Sequence, residues 1–140
     1  MTATLESNKQ MIRSIYEDHI NTGTLEPVAA LVSPAFTTPS GEHGPAAFIA
    51  NLSELRTGFP DIQFHIEQMI AEADQVVVRW TWHATHTGTF RGIAPTGKPL
   101  TNSGIAIYQI VDHKIAQTWV ETDRLGALQQ MGVVPGPRPR

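Results

Sequence analysis

The chain has 140 residues, a formal net charge of −3 and no cysteine. That length suits one domain able to bury a core, and the charge gives no basic footprint for nucleic acid. Without cysteine there is neither a disulfide nor thiol chemistry. The stretch "MTATLESNKQMIRSIYEDH" lacks an apolar signal-peptide core and no apolar run reaches bilayer length, so a soluble cytoplasmic protein with no membrane partner is expected.

Helical signals come first. In "SNKQMIRSIYEDHINTG", Ser7 is read as the N-cap of a helix in which Met11, Ile12, Ile15, Tyr16 and Ile20 recur at helical spacing, and Gly23 stops it. "LEPVAALV" predicts a short helix with Pro27 in the tolerant first turn. "GPAAFIANLSELRTGFP" predicts a third, with Phe48, Leu52 and Leu55 on one stripe and Gly58-Phe59-Pro60 as terminator.

After Pro60 the period changes to two. Ile62, Phe64 and Ile66 alternate with Gln63, His65 and Glu67, and "QVVVRWTWHATHTG" carries Val76, Val78, Trp80, Trp82, Ala84 and His86 on one face. Strands over Leu100–Val111 and Lys114–Asp123 are joined by Asp112-His113, a two-residue hairpin turn. "RLGALQQMGVV" follows, and the Pro-rich end makes residues 136–140 an expected frayed tail. With no repeat or linker, residues 1–140 are read as a single α+β domain. Its strongly curved, mostly antiparallel sheet should fold as a cone around the N-terminal helices. The inner face then encloses one mostly apolar pocket, the usual form of a small-molecule site.

The segment "HTGTFRGIAPTGKPL" holds Gly92, four residues, then Gly97-Lys98, the spacing of a phosphate-binding loop. That chemistry needs a hydroxyl after the Lys and a helix after the loop. Here Pro99 follows and a strand comes next, so the nucleotide reading fails.

Three pieces together carry a resemblance. They are Phe59-Pro60-Asp61 opening the first strand, the pattern His-x-Gly-x-Phe-x-Gly-x-x-Pro-Thr-Gly-Lys from His86 to Lys98, and Trp119-x-x-x-Asp123 before "LGALQQMG". From about Asn8 to Pro135 the chain resembles the SnoaL-like polyketide cyclase family of the nuclear-transport-factor-two-like superfamily. The resemblance implies an α+β cone. It also implies intramolecular aldol-type ring closure in polyketide methyl esters without metal or organic cofactor, with Asp123 matching the acidic general acid/base. Epoxide-opening or ether-forming chemistry, or ligand binding without catalysis, are the alternatives within the superfamily. Gln117-Thr118-Trp119 stands where many members read Glu-His-Trp, and no His occurs in "SGIAIYQIV".

The candidate site follows. Asp123, Glu121 and Trp119 fall on one face of a strand, where an Asp beside a Trp in an apolar pocket would lose hydration and gain basicity. His86 ends the Trp80 and Trp82 face and is a second catalytic candidate at the pocket mouth, or a loop-bonded histidine. Tyr16, Trp80, Trp82, Trp119, Glu121 and Asn51 are read as substrate-binding, with Asn102 a weaker candidate. Three indoles around one cavity suit a flat polycyclic ligand. His83 and His86 point to opposite faces, so no metal site is expected. Exposed apolar positions such as Val77 and Ile107 suggest a homodimer.

Overall fold

Four antiparallel strands lie side by side in chain order: β1 (Gln63–Glu72), β2 (Gln75–Thr85), β3 (Pro99–Val111) and β4 (Lys114–Thr122). The computed structural model describes residues 2–136, so most of the expected frayed tail lies outside the described residues. Before the sheet come α1 (Thr2–Ser14), a π-helical turn (Ile15–Ile20), a 3-10 helix (Glu26–Leu31) and α2 (Gly44–Gly58); α3 (Arg124–Met131) follows it. This is the α+β architecture that the change of period predicts.

Ser7 is not a cap. Helix α1 starts at Thr2, and Ser7 sits exposed within it. No Gly or Pro interrupts residues 2–6, and the Glu6–Lys9 ion pair at 3.2 Å supports the added turn. At its other end the helix widens. The Asn21 N–H reaches back five residues to the Tyr16 carbonyl at 2.9 Å, and Gly23 at φ 79° ends the segment as expected.

Two amide side chains finish the sheet. Asn21 Nδ2 donates to the Phe64 carbonyl at 2.9 Å while its Oδ1 accepts the Phe64 N–H at 2.6 Å, which docks the π turn onto β1. Beyond the end of β4, Gln130 does the same to Thr101 of β3, with both bonds at 2.9 Å. Each satisfies backbone groups that a neighbouring strand would otherwise pair.

The concave face of β2 is the core's spine: Val76, Val78, Trp80, Trp82, Ala84 and His86 are all buried. Ile12, Ile15, Tyr16, Ile20, Phe36, Phe48 and Phe59 cover it from the helical side. The Asp112-His113 turn has both φ angles positive, at 53° and 61°, as a two-residue hairpin requires. The Gly92–Lys98 stretch is the connection from β2 to β3, with Gly92 at φ 80° and Gly97 at φ 71° setting its backbone.

Two register shifts matter for the site. Glu67 is an extra residue in β1, between the Ile66–Trp80 and Gln68–Arg79 pairs. Ala116 is extra in β4, between the Ile110–Ile115 and Gln109–Gln117 pairs. A bulge of this kind reverses which side chains face inward beyond it.

Candidate active site on the concave face of the sheet

The reversal at Ala116 redraws the expected pocket. Ile115 points into the core and is fully buried, but past the bulge Thr118, Val120 and Thr122 pair with Tyr108, Ala106 and Gly104 on the concave side. Trp119 and Glu121 pair with Ile107 and Ile105 and face the convex side. Trp119 is accordingly 49% exposed, and Glu121 is exposed as well. The three indoles do not share one cavity: Trp80 and Trp82 face inward, Trp119 outward.

Asp123 leaves the strand and caps α3, its Oδ1 accepting the Gly126 N–H at 2.9 Å. It is exposed rather than packed against Trp119, so the apolar shelter expected for it is missing. Asn51 is exposed on α2 and lines no interior surface. Asn102 is buried on the concave face opposite Trp82, its Oδ1 accepting the Ser103 N–H at 2.9 Å. His83 faces outward, with Nδ1 3.0 Å from Thr101 Oγ1.

His86 is fully buried, its ring 5.3 Å from Phe59, and does not stand open at a pocket mouth. The Thr96 N–H approaches Nδ1 at 3.3 Å and Thr96 Oγ1 lies 3.0 Å away. A backbone N–H can only donate, so Nδ1 accepts, the Thr96 hydroxyl donates to it, and the ring proton is assigned to Nε2. The His86 main chain adds two bonds, to Lys98 at 2.9 Å and from Gly97 at 2.8 Å. It is the anchor of the β2–β3 loop. Its Nε2 is buried without a protein partner.

A second buried polar cluster joins Tyr16 and Trp80, both named from the sequence, to Tyr108, which was not. The hydroxyls of Tyr16 and Tyr108 meet at 2.5 Å, and both rings are buried. Phe64 bridges Tyr16 to Trp80, its ring 5.2 Å from the first and 5.0 Å from the second. Burial raises the Tyr16 hydroxyl well above its ordinary pKa, the neighbouring Tyr108 adds to the rise, and the Trp80 indole N–H opposes it. Burial also pushes Tyr108 up to about 12, with the bond to Tyr16 pulling the other way. Trp80 Nε1 stands near enough to the Tyr16 hydroxyl to favour its ionised form, but makes no hydrogen bond of regular geometry with a protein acceptor. Tyr108 was read only as a strand former; its parity with Ala106 and its place opposite Val76 are the signals that put it inside.

Gly104 leaves room for the far edge of the Trp80 ring against β3. A Cβ there would come within 2.5 Å of Trp80 Cη2 and 2.7 Å of the Glu121 carbonyl. Next to this floor the concave face opens: Val120 is 49% exposed and Thr118 and Thr122 are half-buried. Among the described residues, no helix is long and apolar enough to cross a membrane.

A curved sheet with helices against its concave face and aromatic side chains on its inner surface defines the cone-shaped α+β class, whose concave side is a usual place for a small-molecule site. The chain belongs to the SnoaL-like polyketide cyclase family, whose model matches residues 10–131. It is 30% identical over 137 residues to the aklanonic acid methyl ester cyclase DnrD of Streptomyces peucetius, covering 92% of each chain. To the aklanonic acid methyl ester cyclase AcmA of Streptomyces galilaeus it is 29% identical over 119 residues, covering 80% of this chain and 82% of that one. In structure it is similar to AclR from Streptomyces galilaeus, with a TM-score of 0.83 at 24% identity over 96% of this chain and 86% of that one. TsrD from Streptomyces laurentii superposes with a TM-score of 0.79 at 24% identity, covering 94% and 97%. The protein is a SnoaL-like cyclase enzyme, as the sequence resemblance implied.

Proposed function

We propose that this cyclase closes a ring in a polyketide-type ester by intramolecular aldol condensation, with protein side chains alone moving the protons. The observation that carries the reading is the end-to-end similarity to cyclases of aklanonic acid methyl ester, at 30% identity over 92% of both chains. In this reading a flat substrate lies on the opening beside β4, over Thr118, Val120 and Thr122, with Trp80 and Trp82 buried in the wall beneath. A base takes the proton alpha to one carbonyl, and the resulting enolate carbon attacks a second carbonyl, whose oxygen then gains a proton.

Asp123 is the proposed base. Its Oδ1 is held by the Gly126 N–H while Oδ2 makes no hydrogen bond, and the residue directly follows Thr122 on the rim of the opening. Being exposed in the free chain, it is open to a substrate resting on that rim. His86 holds the β2–β3 loop in place and offers only an N–H donor toward the interior.

A second reading rests on the same exposure. A carboxylate open to solvent is also placed to activate a water, giving epoxide opening instead of carbon–carbon bond formation. Incubation with aklanonic acid methyl ester and, in parallel, with a polycyclic aromatic epoxide, followed by mass spectrometry and NMR of the products, separates them. An isomer with a new carbon–carbon bond supports ring closure, and a product heavier by one water supports the second reading. Recovery of unchanged ester from both this compound and a panel of related polyketide esters counts against the proposed reaction.

A further inference from the structure

Strand β4 ends at Thr122, opposite Gly104, and leaves the start of β3 without a strand on that side. Helix α3 takes the vacant place and is fastened there at two points. The Asp123 N–H donates to the Ser103 carbonyl at 3.2 Å. At the other end Gln130 accepts the Thr101 N–H through Oε1 and donates to the Thr101 carbonyl through Nε2, both at 2.9 Å. Met131 beside it is buried in the core, whereas Leu125 near the first fastening is exposed and adds no hold. Two attachments to one strand fix the direction of the helix, and with it the direction in which Asp123 is presented.

The Asp123 carboxylate itself sits unusually close to the helix. An N-cap side chain commonly bonds the third helical residue and still leaves room for a side chain there, often a Glu. Asp123 bonds that residue, Gly126, from Oδ1 at 2.9 Å, but its ψ of 75° lies outside the extended region usual for a cap. A Cβ at residue 126 would collide with Asp123 Oδ2 and lie 2.7 Å from its Cγ and 3.0 Å from its Oδ1. The backbone of Gly126 is helical and makes no demand for glycine of its own. Alanine is the better helix former, so what the missing side chain makes room for is the carboxylate.

We infer that Gly126 and Gln130 are positioning residues, which together hold the Asp123 carboxylate in one pose at the rim of the opening. This rests on the reading of Asp123 as the proton acceptor. A general base works only within hydrogen-bond reach of the proton it takes, and a misplacement of about 1 Å can cost 10²-fold in rate. An exposed aspartate with no such hold exchanges freely among its rotamers. Here the Gly126 N–H fixes Oδ1, the bare Cα of Gly126 lets the carboxylate lie down on the first turn, and Gln130 fixes the turn itself against β3. Oδ2 keeps its lone pairs for the substrate.

Gly126→Ala is the deciding variant, because the group it displaces is the end of a flexible side chain and the helix can form around it. On an ester that the parent cyclises, it should lower kcat by about 10- to 100-fold with little change in KM. Gln130→Met, similar in shape but without the two hydrogen bonds, should lower kcat in the same way, and it carries the test should Gly126→Ala not fold. In an Asp123→Asn background neither change should lower kcat further, since the group they place is gone. A folded Gly126→Ala protein at the parent rate overturns the inference while leaving Asp123 as base, and so does a loss that multiplies with that of Asp123→Asn. Asp123→Asn at the parent rate removes the base and the inference together. The amide proton of residue 126 gives a readout apart from turnover: in the parent its NMR resonance should move as Asp123 ionises, and in both variants that movement should shrink. If no ester is turned over, the ring-closure reading falls and this measurement decides the placement, an unchanged movement overturning it and a lost one upholding it.

Discussion

Trp80 and Trp119 lie on opposite faces of one sheet, Trp80 nearly fully buried and Trp119 half-exposed. Trp119→Ala should therefore leave ligand affinity and turnover essentially unchanged, and shift monomer stability by no more than about 0.5 kcal/mol. Ile70, Ile105 and Trp119 are each roughly half-exposed on this convex face, with Val77 and Ile107 beside them. A second copy of the chain is the expected cover. Light scattering at micromolar concentration should return a dimer for the parent and a larger monomer fraction for Trp119→Ala. A monomeric parent defeats the expectation.

Gly104 offers a cleaner test of the interior. Adding one methyl group there meets Trp80 Cη2 at 2.5 Å and the Glu121 carbonyl at 2.7 Å, and the second contact is with backbone that has little room to yield. Gly104→Ala should cost about 1–3 kcal/mol. It should appear as a lower urea midpoint at unchanged slope, together with altered near-ultraviolet dichroism from a displaced indole.

What was legible followed from unbroken alternation. From Val76 to His86 nothing interrupts the period of two, so the inward face of β2 could be assigned residue by residue. The same counting failed in β4, where Ala116 consumes one position: stepping by twos from buried Ile115 puts Trp119 inside, and the bulge puts it outside. Nothing in "KIAQTWVETD" marks that residue as extra, because a bulge here needs no Gly and the inward Thr118, Val120 and Thr122 carry no strong apolar signal. Tyr108 was hidden for a different reason. A tyrosine in a strand is an ordinary strand former, and only register with β2 and contact with the π turn reveal its partner.

The tyrosine pair also sets an alkaline limit. Both hydroxyls have folded pKa values above the ordinary one, Tyr108 at about 12, mainly through burial. The native state thus keeps protons that the unfolded chain gives up near pH 10, and by linkage this contribution is complete below about pH 10 and lost as pH rises toward and past 12. Since the chain has only two tyrosines, tyrosinate absorbance reports this pair alone. Titration should show no phenolate signal near pH 10 and one steep rise well above it, coincident with loss of near-ultraviolet dichroism. A separate, gradual ionisation with an ordinary midpoint would contradict the buried pair.

Asp123 carries two roles, and they respond to different substitutions. As the N-cap of α3 it accepts the Gly126 N–H, a job that an asparagine carbonyl does about as well. As proton acceptor it needs the carboxylate. Asp123→Asn should therefore leave thermal stability nearly unchanged while lowering kcat by about 10²–10⁴. Asp123→Ala removes both functions and should add about 1 kcal/mol of destabilisation to the same kinetic loss. Asp123→Ser isolates the cap from the other side, restoring much of the stability but none of the rate. Measured together by urea unfolding and by turnover of a cyclised ester, the three variants separate cap from base. If Asp123→Asn turns over at the parent rate, the carboxylate serves α3 alone, and the proton acceptor must be sought elsewhere around the opening beside β4.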